Sequence, residues 1–159
     1  AVACLAEASA SLIVGGLPAD VGDVLFVTDH GNPNAASIDA TLTWTGDLGA
    51  PGEERLLASH APVRARVLRV GHHGSRYSST EEFLSATRAA VAVISVGARN
   101  PFHHPTPEAL GRLEATGARI YRTDRDGAVI LETDGTTLSI TRWASGVVDH
   151  LGLDPERGS

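Results

Sequence analysis

Three short stretches carry the residues able to do chemistry: T-G-D at 45–47, G-H-H-G-S at 71–75 and F-H-H-P at 102–105. Together Asp47, His72, His73, His103 and His104 combine one carboxylate with several imidazoles. That donor set suits Zn²⁺, Mn²⁺ or Fe. The carboxylate is a hard anionic oxygen able to bridge two ions, and neutral imidazole is a nitrogen of borderline softness. Gly71 and Gly74 flank the histidine pair and leave room for a second backbone or a substrate to approach. Each stretch also has a purely structural reading. An aspartate after glycine suits capping a helix that starts near Pro51, a histidine pair suits a surface or capping position, and His104 before Pro105 suits a loop lining. Asp29 and His30 form a further D-H pair, but nothing with ligand spacing precedes them, so they read as loop. The metal reading draws its weight from three such stretches in one small domain, each at the end of a strand-like run, where functional groups of α/β folds gather.

Composition limits the alternatives. The chain has 159 residues, the length of one domain or of part of a larger one. Its apolar runs fall far short of the roughly 20 residues a membrane span needs, and no signal-peptide pattern opens it. The single cysteine, Cys4, excludes an internal disulfide. All 13 basic residues are arginine, and there is no methionine even at position 1, so we expect a piece of a longer protein. The net charge of −6 repels nucleic acid in bulk. Phosphate chemistry here would depend on local arginines or bound cations. No G-x-S-x-G motif is present and Cys4 has no partner, so a protein nucleophile is not indicated.

The elements that must position these residues follow from hydrophobic period and turn chemistry. ASLIVGG and DVLFVT read as short strands separated by a Gly/Pro loop. SIDATLTW alternates Ile38, Ala40, Leu42 and Trp44 on one face and predicts a strand ending at T-G-D. GEERLLASH predicts a short helix with Leu56 and Leu57 inward, and RARVLRV a strand ending at the histidine pair. Ser79 with Glu82 three residues on is a capping-box pattern that starts a helix at Thr80. AVAVISVG, continuously apolar, predicts a strand buried on both faces. Thr106 as N-cap, Pro107 at the first helical position and Gly117 at the end bound another helix. ARIYR, GAVILET and TTLSITR predict three strands joined by turns at RTDRDG and TDG, and the polar tail from Ala144 predicts a frayed end. Helices and strands alternate in the middle and strands run together at the end, an α/β pattern.

The order of motifs is itself informative. N-x-N-x-x-S, a strand, T-G-D, a helix with E-x-x-L, V-G-H-H-G-S, a helix, I-S-V-G, N-x-x-x-H-P, a helix and Y-R-T-D-x-D-G-A follow one another from about Asn32 to about Gly135. This series resembles the C-terminal metallo-β-lactamase-like domain of ComEC, the DNA-uptake channel protein of natural competence. The resemblance implies an αββα sandwich and a metal-dependent nuclease that degrades the DNA strand not imported. It implies up to two divalent ions, Mn or Zn. Asp47 matches the bridging aspartate, and His72 or His73, about 25 residues later, matches the late histidine ligand. Through the resemblance Asp47 and His73 become the catalytic candidates. Asn100 and His104 match the element beside the site, while Ser75 and Arg76 stand where a phosphate or a ring could be held. The implied partners are single-stranded DNA and the rest of a membrane channel protein in the same longer chain. The implied location is a soluble domain of a bacterial inner-membrane protein, without a transmembrane segment of its own, facing the periplasm or cell exterior. Two alternatives stay open: a metallo-hydrolase of another ester or a lactam, and a non-catalytic module that binds DNA or a partner. The superfamily's first ligand motif, H-x-H-x-D-H, is absent, and residues 1–31 match poorly. The expected layout is therefore a poorly matched 1–31, a metallo-β-lactamase-like core at 32–143 that is only part of the full domain, and a tail at 144–159.

Overall fold

Val91–Ile94, the centre of the continuously apolar run, is buried along its whole length. The reason is visible in a computed structural model, which describes residues 10–14, 42–44, 46–59, 63–133 and 137–152. In chain order the elements are β1 (Ala10–Val14), β2 (Leu42–Trp44), α1 (Ala50–Ala58), β3 (Val67–Arg69), α2 (Glu81–Thr87), β4 (Val91–Ile94) and α3 (Pro107–Ala115). They continue with β5 (Arg119–Arg122), α4 (Thr123–Asp126), β6 (Val129–Thr133), β7 (Thr137–Arg142) and β8 (Val147–Gly152). A 3-10 turn over Gly71–Gly74 follows β3.

One sheet has the order β2-β3-β4-β5 and is entirely parallel, each crossover passing through a helix. The other has the order β1-β6-β7-β8 and is antiparallel. β4 shows how the layers meet. Val91 and Val93 pack with Val129, Leu131, Leu138 and Ile140 of the second sheet. Ala92 and Ile94, on the opposite face, pack with Phe83, Leu84 and Leu113, with Leu56 and Leu57 at the margin. The molecule is thus layered helix, parallel sheet, antiparallel sheet, and the middle sheet is apolar on both faces because it is covered on both.

The helix signals translate with small shifts. Thr106 Oγ1 accepts a hydrogen bond from Ala109 N, Pro107 opens α3, and Gly117 lies just past its end at φ +76. α2 begins one residue later than the capping-box pattern predicts: Thr80 is the cap, and its Oγ1 accepts from Phe83 N at 3.3 Å. α1 starts at Ala50 with Gly49 as its cap and no side chain capping it, so Asp47 does not cap this helix.

Two sequence-based expectations are corrected. The stretch after Ala144 is not frayed: Val147–Gly152 forms β8, paired along β7 from Arg142↔Val147 to Thr137↔Gly152. Its inward-leaning Asp149 accepts from the Tyr121 hydroxyl at 3.1 Å and pairs with Arg142 Nε at 3.3 Å, while Leu151 packs on the core. Burial and that aspartate hold the Tyr121 pKa above its usual value. The segment predicted as an RTDRDG turn is instead one helical turn, α4. Arg122 grips Asp124 through two hydrogen bonds of 3.0 and 2.7 Å, and Asp126 accepts from Arg122 N. The predicted strand DVLFVT, the start of SIDATLTW and the TDG turn lie outside the described residues. Among the described residues no helix is long and apolar enough to cross a membrane.

Candidate metal centre

The chemistry-bearing stretches leave the carboxyl ends of three neighbouring strands, β2, β3 and β4. Backbone hydrogen bonds tie the stretches together. His72 N donates to Gly46 O at 2.8 Å, Ala50 N to Tyr77 O at 2.7 Å, and Thr106 N to Gly74 O at 2.9 Å. The central loop is held in an uncommon shape. His72 (φ 50, ψ 37) and His73 (φ 55, ψ 23) are consecutive non-glycine residues in the left-handed region, and His103 also has φ 55. Each such residue costs on the order of 1–3 kcal/mol and persists only where its surroundings over-determine it. Here Ser75 N donates to His72 O, and the buried Ser78 hydroxyl donates to Gly71 O at 2.9 Å.

The left-handed pair sends the two imidazoles in different directions. The His73 ring Nδ1–H donates to Ser95 O at 2.6 Å. That bond fixes the tautomer and leaves Nε2 with a free lone pair in the neutral ring. Nε2 lies 4.0 Å from Asp47 Oδ1, with the side chains 46% and 79% exposed. Two donors that each sit ~2.0–2.2 Å from one ion are separated by about 3–4 Å, so this spacing admits a shared ion. His72 turns instead toward His104, ring centroids 6.0 Å apart and edge-on at 76°. His104 Nδ1 is buried without a hydrogen-bond partner among the described residues. Burial, then His72, His73 and Arg76 nearby, lowers the His104 pKa. A neutral imidazole is the form able to bind a metal. Among the described residues no group of three or more His, Cys, Asp or Glu side chains converges on one ion. The donors here fit one side of a metal site, a pair rather than a closed set.

The remaining candidates have loop-holding contacts. Asn100 Oδ1 accepts from His104 N at 2.8 Å and its Nδ2 donates to His104 O at 2.9 Å, which clamps the FHHP loop. Ser75 is buried, and its Oγ accepts from Tyr77 N at 3.3 Å. The geometry thus gives Asn100 and Ser75, expected beside substrate, partners within the protein. Arg76 is exposed and lies 3.7 Å from Glu108, a solvent-screened pair that leaves the guanidinium able to turn to a phosphate.

Two residues that sequence reasoning passed over hold the same loop from behind. Glu53 is 1% exposed. Its Oε1 accepts from Ser79 N at 2.6 Å, and its Oε2 accepts from Thr80 N and Thr80 Oγ1, both at 2.8 Å. Arg112 donates to the carbonyls of Arg76, Ser78 and Ser79 at 2.8–3.0 Å. A signal for Glu53 was present: it stands three and four residues before Leu56 and Leu57, on the face predicted to be inward. Arg112 has no comparable signal.

Gly74 joins the GHHGS loop to the HP loop. It has φ +81, and a Cβ there would lie 2.5 Å from Pro105 Cβ and 3.1 Å from its Cα. Gly74→Ala therefore combines left-handed strain with a backbone clash, and we expect a loss of about 2–4 kcal/mol in chemical denaturation. A loss under about 0.5 kcal/mol would mean that the two loops are not in contact.

Known proteins resemble this chain over much of its length. Over 90 residues it is 39% identical to ComE operon protein 3 of Bacillus subtilis, a match covering 55% of this chain and 12% of that protein. Over 91 residues it is 42% identical to Competence protein ComA of Neisseria gonorrhoeae, covering 57% and 13%. Over 116 residues it is 36% identical to Recombination protein 2 of Haemophilus influenzae, covering 70% and 14%. The chain thus spans only 12% to 14% of the length of these relatives. No family model and no solved structure matches it. The relatives point to the competence family of ComEC type.

Proposed function

We propose that this chain is the metal-dependent nuclease portion of a longer DNA-uptake protein with a metallo-β-lactamase-like αββα sandwich, a reading supported by its helix, parallel-sheet and antiparallel-sheet layers. Its substrate is the phosphodiester backbone of single-stranded DNA, the strand not imported during transformation. It faces the periplasm or cell exterior from an inner-membrane protein. The observation that carries this reading is the pair Asp47 and His73, 4.0 Å apart, with the His73 ring fixed by Ser95 O so that Nε2 faces the carboxylate. Relatives named Competence protein ComA and Recombination protein 2 support a DNA substrate.

Asp47 and His73 would hold a divalent ion, Mn²⁺ or Zn²⁺. When bound, such an ion supplies Lewis acidity toward a phosphate oxygen and toward water. The chain's own groups do the rest. Asp47 presents a negative charge at the rim, which draws the ion. His73 keeps its free nitrogen aimed at the same point because Ser95 holds its other one. His104, kept neutral beside His72, adds a second uncharged imidazole edge. Arg76 orients a phosphate by charge-assisted hydrogen bonds once it leaves Glu108.

The test is degradation of end-labelled single-stranded DNA by the chain, expressed with any residues encoded upstream of Ala1. A lactam and a carboxylic ester run in parallel. DNA cleavage supported by Mn²⁺ and abolished by EDTA is the expected result. Cleavage that survives EDTA, or turnover of the lactam or ester alone, contradicts the reading.

A further inference from the structure

Two rim loops beside the histidines share an unusual pattern. The loop after β3 exposes Arg76 and then Tyr77, the tyrosine 70% exposed. The loop after β4 exposes Arg99 and then Phe102, the phenylalanine 73% exposed. Large aromatic side chains normally bury most of their surface, so two such residues in loops that lead into one site need an explanation. Phe102 is held at its ring and Tyr77 at its backbone. The Tyr77 carbonyl accepts from Ala50 N, which ties its backbone to the start of α1, just after Asp47. Phe102 stacks on His104 with centroids 6.0 Å apart and planes 23° from parallel, which places it on the β4 side. His104 in turn meets His72 edge-on. Asn100 clamps the backbone of His104, the residue on which Phe102 stacks.

We infer that Tyr77 and Phe102 are stacking platforms for unpaired nucleobases, one on each side of the Asp47–His73 pair, with Arg76 and Arg99 meeting the phosphates between. The inference rests on the nuclease reading and deepens it by naming how the strand is gripped. A flat ring offers a face to any base, so the grip is tolerant of sequence. It requires bases that are not paired, which selects single strands over duplex. The two arginines supply the local positive charge that the chain's net charge of −6 does not.

The test measures binding, not cleavage, so it is independent of metal. A fluorescein-labelled oligothymidylate and an abasic oligomer of the same length are titrated in EDTA at low ionic strength and followed by anisotropy. The unsubstituted chain should bind the oligothymidylate more tightly than the abasic strand by about ten-fold or more. Phe102→Leu and Tyr77→Leu should each erase most of that preference, and Phe102→Trp, which keeps a flat ring, should retain it. Both side chains are exposed, so the variants should keep the parent's melting behaviour. Equal binding of the two oligomers, binding of neither, or a preference unchanged in the leucine variants would overturn the platforms. If the preference is present but Mn²⁺ supports no cleavage, the nuclease reading fails while the platforms stand.

Discussion

If the chain is the proposed nuclease, Asp47→Ala should lower Mn²⁺-supported cleavage of single-stranded DNA by at least about a thousand-fold, to the level left by EDTA. Asp47 is the anionic member of the pair proposed to hold the ion, and the sequence shows no protein nucleophile motif that would take over. His73→Ala should come close to the same loss. His72→Ala should lose far less, because the backbone turns that ring away toward His104. The sequence left open which of His72 and His73 is the metal ligand; the left-handed backbone turns the two rings in different directions. Arg76→Ala should behave differently from all three. It should raise the substrate concentration needed for half-maximal rate and leave ion binding intact. Full activity in the Asp47→Ala protein would remove the basis of the mechanism.

Glu53→Ala should destabilise the chain by about 3–5 kcal/mol, a large share of the 5–15 kcal/mol typical of a domain. The carboxylate accepts three hydrogen bonds from Ser79 and Thr80 inside the protein. Removing it leaves two backbone N–H groups without partners, at about 1–3 kcal/mol each, and opens a void between α1 and the loop that leads into α2. Glu53→Gln keeps the volume and one accepting oxygen but turns an amide N–H toward a donor, so it should cost about half as much. Urea denaturation of the three proteins at pH 7 measures this. A loss below about 1 kcal/mol for Glu53→Ala would mean that the carboxylate does not hold residues 79 and 80. Because that loop also carries His72 and His73, the same substitution should weaken ion binding in the fraction that remains folded.

What was legible in the sequence depended on how local the signal was. The continuous apolar run at 91–96 and the Thr106-Pro107 start of α3 announced themselves, because a strand buried on both faces and a helix cap are written in neighbouring residues. The candidate site was legible as three strand-end motifs for the same reason. β8 was not. Its V-V-D-H-L-G has a polar centre, and Asp149 is tolerated inward only because Tyr121 and Arg142, distant in sequence, meet it. The start of α2 slipped by one residue because Ser79, in the left-handed region, gives its backbone N–H to Glu53 some 26 positions earlier. The loop-holding roles of Asn100 and Ser75 were hidden likewise. An amide or hydroxyl beside a histidine pair reads as a substrate contact until the backbone atoms it bonds are seen.

Asp47 and His73 are proposed to hold one and the same divalent ion. Titration calorimetry of Mn²⁺ into the unsubstituted chain, Asp47→Ala, His73→Ala and the double variant tests it as a thermodynamic cycle. Each single substitution should weaken binding by at least about ten-fold and the double variant should be little worse than either, since two ligands of one ion are strongly coupled. Single variants that bind Mn²⁺ as the unsubstituted chain does, or losses that simply add, would contradict it.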